Sequence, residues 1–82
     1  MINSQHDKKV FIEALVRFDA CGDMHPVSII WKDGRAYEID KILDKRRAAS
    51  LKAGGIGLRY TIKIKNKITY LFYEGQKWYM EE

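Results

Sequence analysis

Residues 25–43 read HPVSIIWKDGRAYEIDKIL, and the hairpin that they predict from Pro26 to Leu43 decides the fold. Its centre, Lys32-Asp33-Gly34, suits a three-residue loop, because a type I turn followed by a left-handed glycine closes such a hairpin. This loop sets the register, with Trp31 opposite Arg35, Ile29 opposite Tyr37 and Val27 opposite Ile39. One face then carries a core patch of five apolar residues: Val27, Ile29, Trp31, Tyr37 and Ile39.

The composition predicts one small folded domain. The chain has 82 residues, of which 46% are apolar and 32% charged, and a single proline, as is typical of globular rather than disordered proteins. Cys21 is the only cysteine, which excludes an internal disulfide and fits a reducing compartment. No apolar run approaches the roughly 20 residues of a membrane span, so we expect no membrane partner. Since Met1–Lys9 also lacks the apolar segment of a signal peptide, we expect a cytoplasmic protein with a flexible N-terminus over 1–7 and a single small β domain over 8–82.

Two further stretches alternate with the period of a strand. Lys8 to Asp19 combines this period with β-branched and aromatic residues, and it is long enough to bend across two sides of a barrel. Residues 20–25, ACGDMH, form a turn after it. Leu58 to Lys65 then points Leu58, Tyr60, Ile62 and Ile64 inward, and Arg59, Thr61, Lys63 and Lys65 outward.

The facing of the next strand depends on the loop at Asn66. An odd loop turns Ile68, Tyr70 and Phe72 inward, whereas an even loop turns Thr69, Leu71 and Tyr73 inward. A three-residue turn at Tyr73-Glu74-Gly75 favours the odd loop. It pairs Tyr70 with Trp78 and Ile68 with Met80, which keeps the larger apolar groups together.

Residues 44–57, DKRRAASLKAGGIG, break the β pattern. Asp44 can cap a short helix that ends at Gly54, so the sequence predicts either a helix or an ordered basic loop over 45–53. The fold class that we predict is mainly β: a small, strongly bent antiparallel meander of five or six strands, an SH3-like barrel with this one insertion. An open sheet covered by the basic helix is the alternative.

Six apolar residues fall outside the principal core face in this arrangement: Phe11, Leu15, Ile30, Leu71, Tyr73 and Tyr79. So many suggest a second cover, either the insertion or another subunit, and we therefore expect a homodimer.

Positive charge is concentrated in the middle of the chain. From Lys41 to Lys67 there are nine cations and one anion, although the whole chain carries only +4. Such a surface could bind nucleic acid or another polyanion, with aromatic rings stacking on bases, or it could be ordinary solvated surface. The predicted polyanion site comprises Arg46, Arg47, Lys52, Arg59, Lys63, Lys65, Lys67 and Tyr73, with a contribution from Tyr79. The glycines of AGGIG (residues 53–57) could present backbone N–H groups to an anion.

Other clusters carry weaker signals. Cys21 and His25 could form a nucleophile–base pair or two metal ligands, but neither an orienting group nor further ligands are evident. Glu38 and Asp40, with Glu13 near them, are expected to be solvated acids. We therefore predict no catalytic residue, no metal and no cofactor.

The pattern Trp31-x-x-Gly34-Arg35-x-Tyr37-x-Ile39-x-x-Ile42-Leu43, followed by Arg59-Tyr60-Thr61 and Trp78, resembles short bacterial β proteins of an uncharacterised family. The resemblance implies a fold and brings no activity with it. From the residues, the leading hypothesis is a non-enzymatic binding module for nucleic acid or another polyanion. A homo-oligomeric or protein–protein adaptor is second, and a thiol enzyme that uses Cys21 and His25 is a distant third.

Overall fold

Seven antiparallel strands form a single sheet that curls into a half-barrel. The computed structural model describes residues 9–49 and 56–81, and these ranges contain no helix. The strands are β1 (Lys9–Phe18), β2 (Met24–Ile30), β3 (Ala36–Glu38), β4 (Lys41–Ala49), β5 (Ile56–Ile64), β6 (Lys67–Glu74) and β7 (Lys77–Glu81). Their order across the sheet is β3-β2-β1-β7-β6-β5-β4. The prediction of a mainly β, barrel-like meander is confirmed.

The corner between β3 and β4 forces the sheet to curl. These strands lie at opposite edges of the sheet, yet only Ile39 and Asp40 separate them in the chain. The N–H of Ile39 donates to the carbonyl of Val27 in β2 (2.9 Å), and the N–H of Asp40 donates to that of Lys63 in β5 (2.8 Å). Since consecutive amides bond to both halves of the sheet, the two edges must meet at this corner.

Strand β1 crosses from one side of the half-barrel to the other. Its first part, Lys9 to Ile12, pairs with β7, and its second part, Glu13 to Phe18, pairs with β2. A bulge between Leu15 and Val16 marks the bend. This agrees with the prediction that the first strand spans two sides.

The central hairpin has the predicted register, but Val27, one of its five predicted core residues, is 47% exposed. Ile29 pairs with Tyr37, and the N–H of Trp31 donates to the carbonyl of Arg35 (2.8 Å). Gly34 has a φ of 88°, as the left-handed position of this loop requires. There are seven strands instead of five or six, because the corner at 39–40 divides the second half of the hairpin into β3 and β4.

The concave side of the sheet, here the inner face, holds the core. Its buried cluster is Ile29, Tyr60, Ile62, Leu71 and Met80, surrounded by partly buried apolar side chains that include Leu58 and Ile64. The inward prediction for β5 is thus confirmed. The hydroxyl of Tyr60 donates to the carbonyl of Met24 (3.1 Å). Because β5 and β2 are not adjacent, this bond joins two walls across the interior.

The turn between β5 and β6 corrects the facing of β6. It has two residues, Lys65 and Asn66, with φ values of 49° and 67°, as in a type I′ turn. The prediction of an odd loop was therefore wrong. Leu71 is completely buried, whereas Ile68 is 65% exposed on the convex side, here the outer face. The N–H of Lys65 donates to the carboxylate of Asp40 (2.8 Å), a contact from 25 residues away that helps to hold this turn.

The last hairpin is also shorter than predicted. Its turn is Gly75-Gln76, again with positive φ at both positions, so Tyr73 pairs with Trp78. The predicted turn at 73–75 was wrong, and Tyr73 faces inward, its ring centroid 4.6 Å from that of Trp78.

The basic segment continues β4. Residues 45–49 are strand, and they pair with residues 56–60 of β5. The prediction of a helix or loop over 45–53 is wrong for this part, because the partner strand satisfies its backbone, whereas a helix with cations at its start would oppose its own dipole. Residues 50–53 lie outside the described residues, as do residues 1–7, for which a flexible terminus was predicted.

Two truncations on β6 test its facing. Leu71→Ala should lower the free energy of unfolding by about 2–5 kcal/mol, because it leaves a cavity in the core. Ile68→Ala should change it by less than about 0.5 kcal/mol. Urea titration measures both, and Leu71→Val, with an expected loss of about 1 kcal/mol, replaces Leu71→Ala if that variant does not fold. Equal losses for Ile68→Ala and Leu71→Ala would contradict this register.

The bond across the interior can be tested by Tyr60→Phe. Losing the donor leaves the Met24 carbonyl without this partner, so the free energy of unfolding should fall by about 0.5–1.5 kcal/mol. Tyr70→Phe is the matched control, because Tyr70 lies on the outer face and is 46% exposed. An unchanged stability in Tyr60→Phe would show that the bond does not stabilise the fold.

Candidate functional site

A row of five side chains crosses the outer face. Cross-strand pairing joins Arg46 to Arg59, Arg59 to Phe72, Phe72 to Tyr79 and Tyr79 to Phe11. We call these five residues the outer row. It runs over β4, β5, β6, β7 and β1, and four strand intervals give it a length of about 19 Å. Side-chain alternation places the row on the outer face, because the neighbours of its members along each strand face the core.

The aromatic half of the row is a packed cluster. The rings of Phe72 and Tyr79 are stacked, with centroids 4.9 Å apart and planes within 6°. Phe11 meets Tyr79 edge to face at 5.7 Å. Phe11 is 57% exposed, but Tyr79 is only 8% exposed. The available ring surface at this end therefore belongs to Phe11.

The phenol of Tyr79 is kept protonated by its surroundings. Burial raises its pKa above the ordinary value of 10.0, and the charges of Glu74 and Glu81 act in the same direction, while Lys9 opposes them. The ammonium of Lys9 lies 4.7 Å from the ring centroid of Tyr79 and forms a salt bridge of 3.5 Å with Glu74. Tyr79 is thus a neutral support for its neighbours rather than an acid or base near neutral pH.

The arginine half of the row meets a fourth ring. The guanidinium carbon of Arg59 lies 4.7 Å from the centroid of Tyr70, and Tyr70 lies 6.4 Å from Phe72. The Nε of Arg59 is buried and has no hydrogen-bond partner among the described residues. No carboxylate in residues 9–49 and 56–81 forms a salt bridge with Arg59, whereas Arg46 is bonded to Asp44 at 2.8 Å.

Two pairs of like charges lie side by side on this face. Arg46 is directly opposite Arg59, and Lys41 is directly opposite Lys63. Lys63 also pairs with Ile68 of β6. Like charges in directly opposed positions of a sheet lower stability, so this arrangement is not one that the fold itself favours.

The structure divides the predicted polyanion site between two faces. Arg59 and Lys63 lie on the outer face, as predicted, and Arg46, which was predicted to lie in a helix or loop, lies beside them on β4. Arg47 and Lys67 pair with the inward-facing Leu58 and Ile64, which places them on the inner side with Tyr73. Lys65 is in the β5–β6 turn, with its ammonium 5.5 Å from the ring of Tyr37. Lys52 lies outside the described residues, and so do residues 53–55 of the glycine stretch.

Two rings of the outer face, Tyr70 and Phe72, were missed from the sequence, because the odd loop turned them inward. Tyr79 lies beside the outward cations, as predicted, and Phe11 lies outside the core face, as predicted. Tyr73, which was also predicted beside the cations, faces inward. The signal that could have found the two missed rings is Asn66, because asparagine tolerates the left-handed conformation of a two-residue turn. An even loop at this position turns Tyr70 and Phe72 outward.

The turn between β1 and β2 is organised by Asp19 rather than by Cys21. The Asp19 carboxylate accepts hydrogen bonds from the N–H of Cys21 (2.9 Å), the N–H of Asp23 (3.0 Å) and Nε2 of His25 (2.9 Å). These bonds, that of His25 first, lower the pKa of this carboxyl from 3.8 to about 2. Cys21 is exposed. The imidazole is therefore engaged with a carboxylate, and a Cys21–His25 pair gains no support.

The remaining acids show no site. Glu13, Glu38 and Asp40 are exposed, and Asp40 is occupied by the N–H of Lys65. In residues 9–49 and 56–81, no group of three or more His, Cys, Asp or Glu side chains could hold a metal ion. The same ranges include no helix long and apolar enough to cross a membrane.

A groove lies at the Phe11 end of the outer row. It has a volume of about 690 Å³ and opens where β1 leaves β7 for β2. Its lining includes Phe11, Trp31, Lys32, Lys77 and Trp78. The ammonium of Lys77 lies 5.6 Å from the Phe11 ring. The groove thus connects Phe11 and Lys77 of the outer face with Trp31 and Trp78, whose side chains pack against the core.

No family model, curated protein or solved structure matches this chain. The likeness to SH3-like barrels and the resemblance to short bacterial proteins therefore stay predictions.

The role of His25 can be measured by titration. His25→Ala should raise the pKa of the Asp19 carboxyl from about 2 toward 3.8, because the largest cause of its lowering is removed. The pKa of Asp19 is lower in the folded chain than its ordinary value of 3.8, so the ionised carboxylate stabilises the fold fully above pH 3.8. This contribution disappears as the pH falls through about 2. Carbon NMR of the carboxyl group follows the titration. Cys21→Ala is the control, since Cys21 contributes a backbone N–H. An unchanged midpoint in His25→Ala would contradict the assignment.

Proposed function

We propose that this chain is a non-enzymatic binding module whose outer face binds nucleic acid or another polyanion. One observation carries the proposal: two like-charged pairs, Arg46–Arg59 and Lys41–Lys63, stand directly opposed on adjacent strands of that face. A bound row of phosphates would turn their repulsion into attraction.

The charges are available to a ligand. Among the described residues no carboxylate forms a salt bridge with Lys41, Lys63 or Arg59. Arg46 does have Asp44, but the pair is largely exposed, and exposed ion pairs contribute only about 0–1 kcal/mol. A phosphate can therefore compete for these cations at little energetic cost.

The concentration of charge supports the same ligand class. The segment from Lys41 to Lys67 carries nine cations and one anion, and the rest of the chain is net negative. Such asymmetry attracts polyanions from a distance and orients the protein on them. A cytoplasmic location fits this function and the single cysteine, and it remains part of the proposal.

An adaptor is the second candidate, because large apolar side chains remain exposed on the same face. Phe11, Leu15, Ile68 and Tyr70 are each between 46% and 65% exposed. Leu71 and Tyr79, which were predicted to contribute to a dimer contact, are buried and unavailable. A two-fold contact through this face would also bring identical cations together. For this reason we favour a polyanion. A stable dimer in sedimentation that Leu15→Lys dissociates would support the adaptor instead.

The proposal predicts opposite effects of Lys63→Gln on binding and stability. Binding of a labelled oligonucleotide should weaken, and the slope of log Kd against log salt should fall by about 0.7–0.9, because one phosphate contact is lost. The free energy of unfolding should rise by about 0.2–0.5 kcal/mol, because the repulsion with Lys41 disappears. Fluorescence anisotropy over a salt series and urea titration measure the two effects.

Lys67→Gln provides the control, since Lys67 is an exposed cation that pairs with the inward-facing Ile64 and so lies on the opposite face from Lys63. It removes the same charge and should leave the salt slope nearly unchanged. If no oligonucleotide or polyphosphate binds the wild-type chain even at low salt, the proposed function is wrong.

A further inference from the structure

We propose that the ligand of the outer face is a single-stranded nucleic acid, with unpaired bases stacked on the rings of Tyr70 and Phe11. This inference rests on the proposed function and narrows it from polyanions in general to one class. The exposed rings are the reason for this narrower choice, because a polyanion without bases has no group that can stack on them.

Two of the four outer rings are available for stacking. Tyr79 is only 8% exposed and Phe72 lies against it, so these two support the others. Tyr70 at one side and Phe11 at the other remain 46% and 57% exposed. Aromatic rings that project from the surface of a sheet are platforms on which single-stranded bases stack, and every base has a suitable face.

The cations lie where a backbone between stacked bases would need them. Arg59 packs against Tyr70, and Lys77 lies beside Phe11. Lys9 covers Tyr79 between them. Each exposed ring therefore has a positive group within 6 Å. A cation beside each exposed ring is suited to a single strand, in which a phosphate follows every base.

The groove beside Phe11 adds room for a base that leaves the row. Its volume of about 690 Å³ lies within the range of small-molecule sites. Two indoles, Trp31 and Trp78, line it together with polar groups such as Gln76 and Lys32. An unpaired base can enter such a space, whereas a base within a duplex is held in its stack.

A duplex would have to be bound differently. Its base faces are already stacked on each other, so it offers phosphates but no free ring surface to Tyr70 or Phe11. The alternative site for a duplex is the β4–β5 hairpin, since a two-stranded ribbon fits the major groove. Arg47 lies on the other side of that ribbon from Arg46 and the outer row. Variants of Tyr70 and Arg47 therefore separate the two modes.

The experiment compares three probes on the full chain by fluorescence anisotropy, direct or by competition. They are an oligothymidine of about 12 nucleotides, a hairpin duplex with the same number of phosphates, and inorganic polyphosphate, each at low and at moderate salt. The variants are Tyr70→Leu, Tyr70→Trp and Arg47→Gln. Phe18→Leu is the matched ring control, because Phe18 is exposed on β1 but lies outside the row. Circular dichroism establishes that each variant is folded.

The proposal expects the oligothymidine to bind at least about tenfold more tightly than the duplex. Tyr70→Leu should weaken oligothymidine binding by at least about fivefold, the lower end of what one stacked base contributes. The same variant should leave polyphosphate binding unchanged. Tyr70→Trp should retain binding, and Phe18→Leu should have no effect.

Two results would overturn the inference while leaving the proposed function intact. In the first, all three probes bind equally and Tyr70→Leu does not change their affinity, which would show that the site binds through its charges alone. In the second, the duplex binds best and Arg47→Gln weakens it, which would assign the contact to the β4–β5 hairpin. Absence of binding by every probe would overturn the proposed function itself.

Discussion

Two consecutive backbone amides determine the shape of this protein. The N–H of Ile39 bonds to β2 and that of Asp40 bonds to β5, although these strands lie in opposite halves of the sheet. With only two residues between β3 and β4, a flat sheet of seven strands is impossible. The concave core and the convex outer face both follow from this corner. The carboxylate of Asp40 also bonds it to the β5–β6 turn, by accepting from the N–H of Lys65.

Much of the fold could be predicted because local signals agree with the global arrangement. The loop at Lys32-Asp33-Gly34 has one suitable turn type, and the alternation along β5 places large apolar residues on one side only. Strand β6 offers no such preference. Ile68, Tyr70 and Phe72 are as apolar as Leu71 and Tyr73, so hydrophobicity alone cannot choose its facing. The facing of β6 is instead set by the two-residue turns at its ends. The left-handed residues of these turns include Lys65 and Gln76, and lysine and glutamine rarely adopt that conformation.

The wrong prediction of the loop length at Asn66 also explains which rings of the candidate site were missed from the sequence. The outward positions of Arg59 and Lys63 follow from the alternation along β5 and agree with the prediction. Arg46 lies on the same face because β4 continues through the residues that were predicted to form a helix or loop. The aromatic partners depend on β6, so the wrong loop length exchanged Tyr73 for Tyr70 and Phe72. The outer row also requires β1 beside β7, a pairing between the two ends of the described chain that no local pattern indicates.

That pairing has a consequence for the order of folding. The hairpins from β4 to β7 involve neighbours in sequence, so each can form early and independently. In contrast, Lys9 must find Glu81, and Phe11 must find Tyr79, across nearly the whole chain. The loop-closure entropy of such distant contacts delays them. Among the described strands, we therefore expect the aromatic end of the outer face to assemble after the hairpins from β4 to β7.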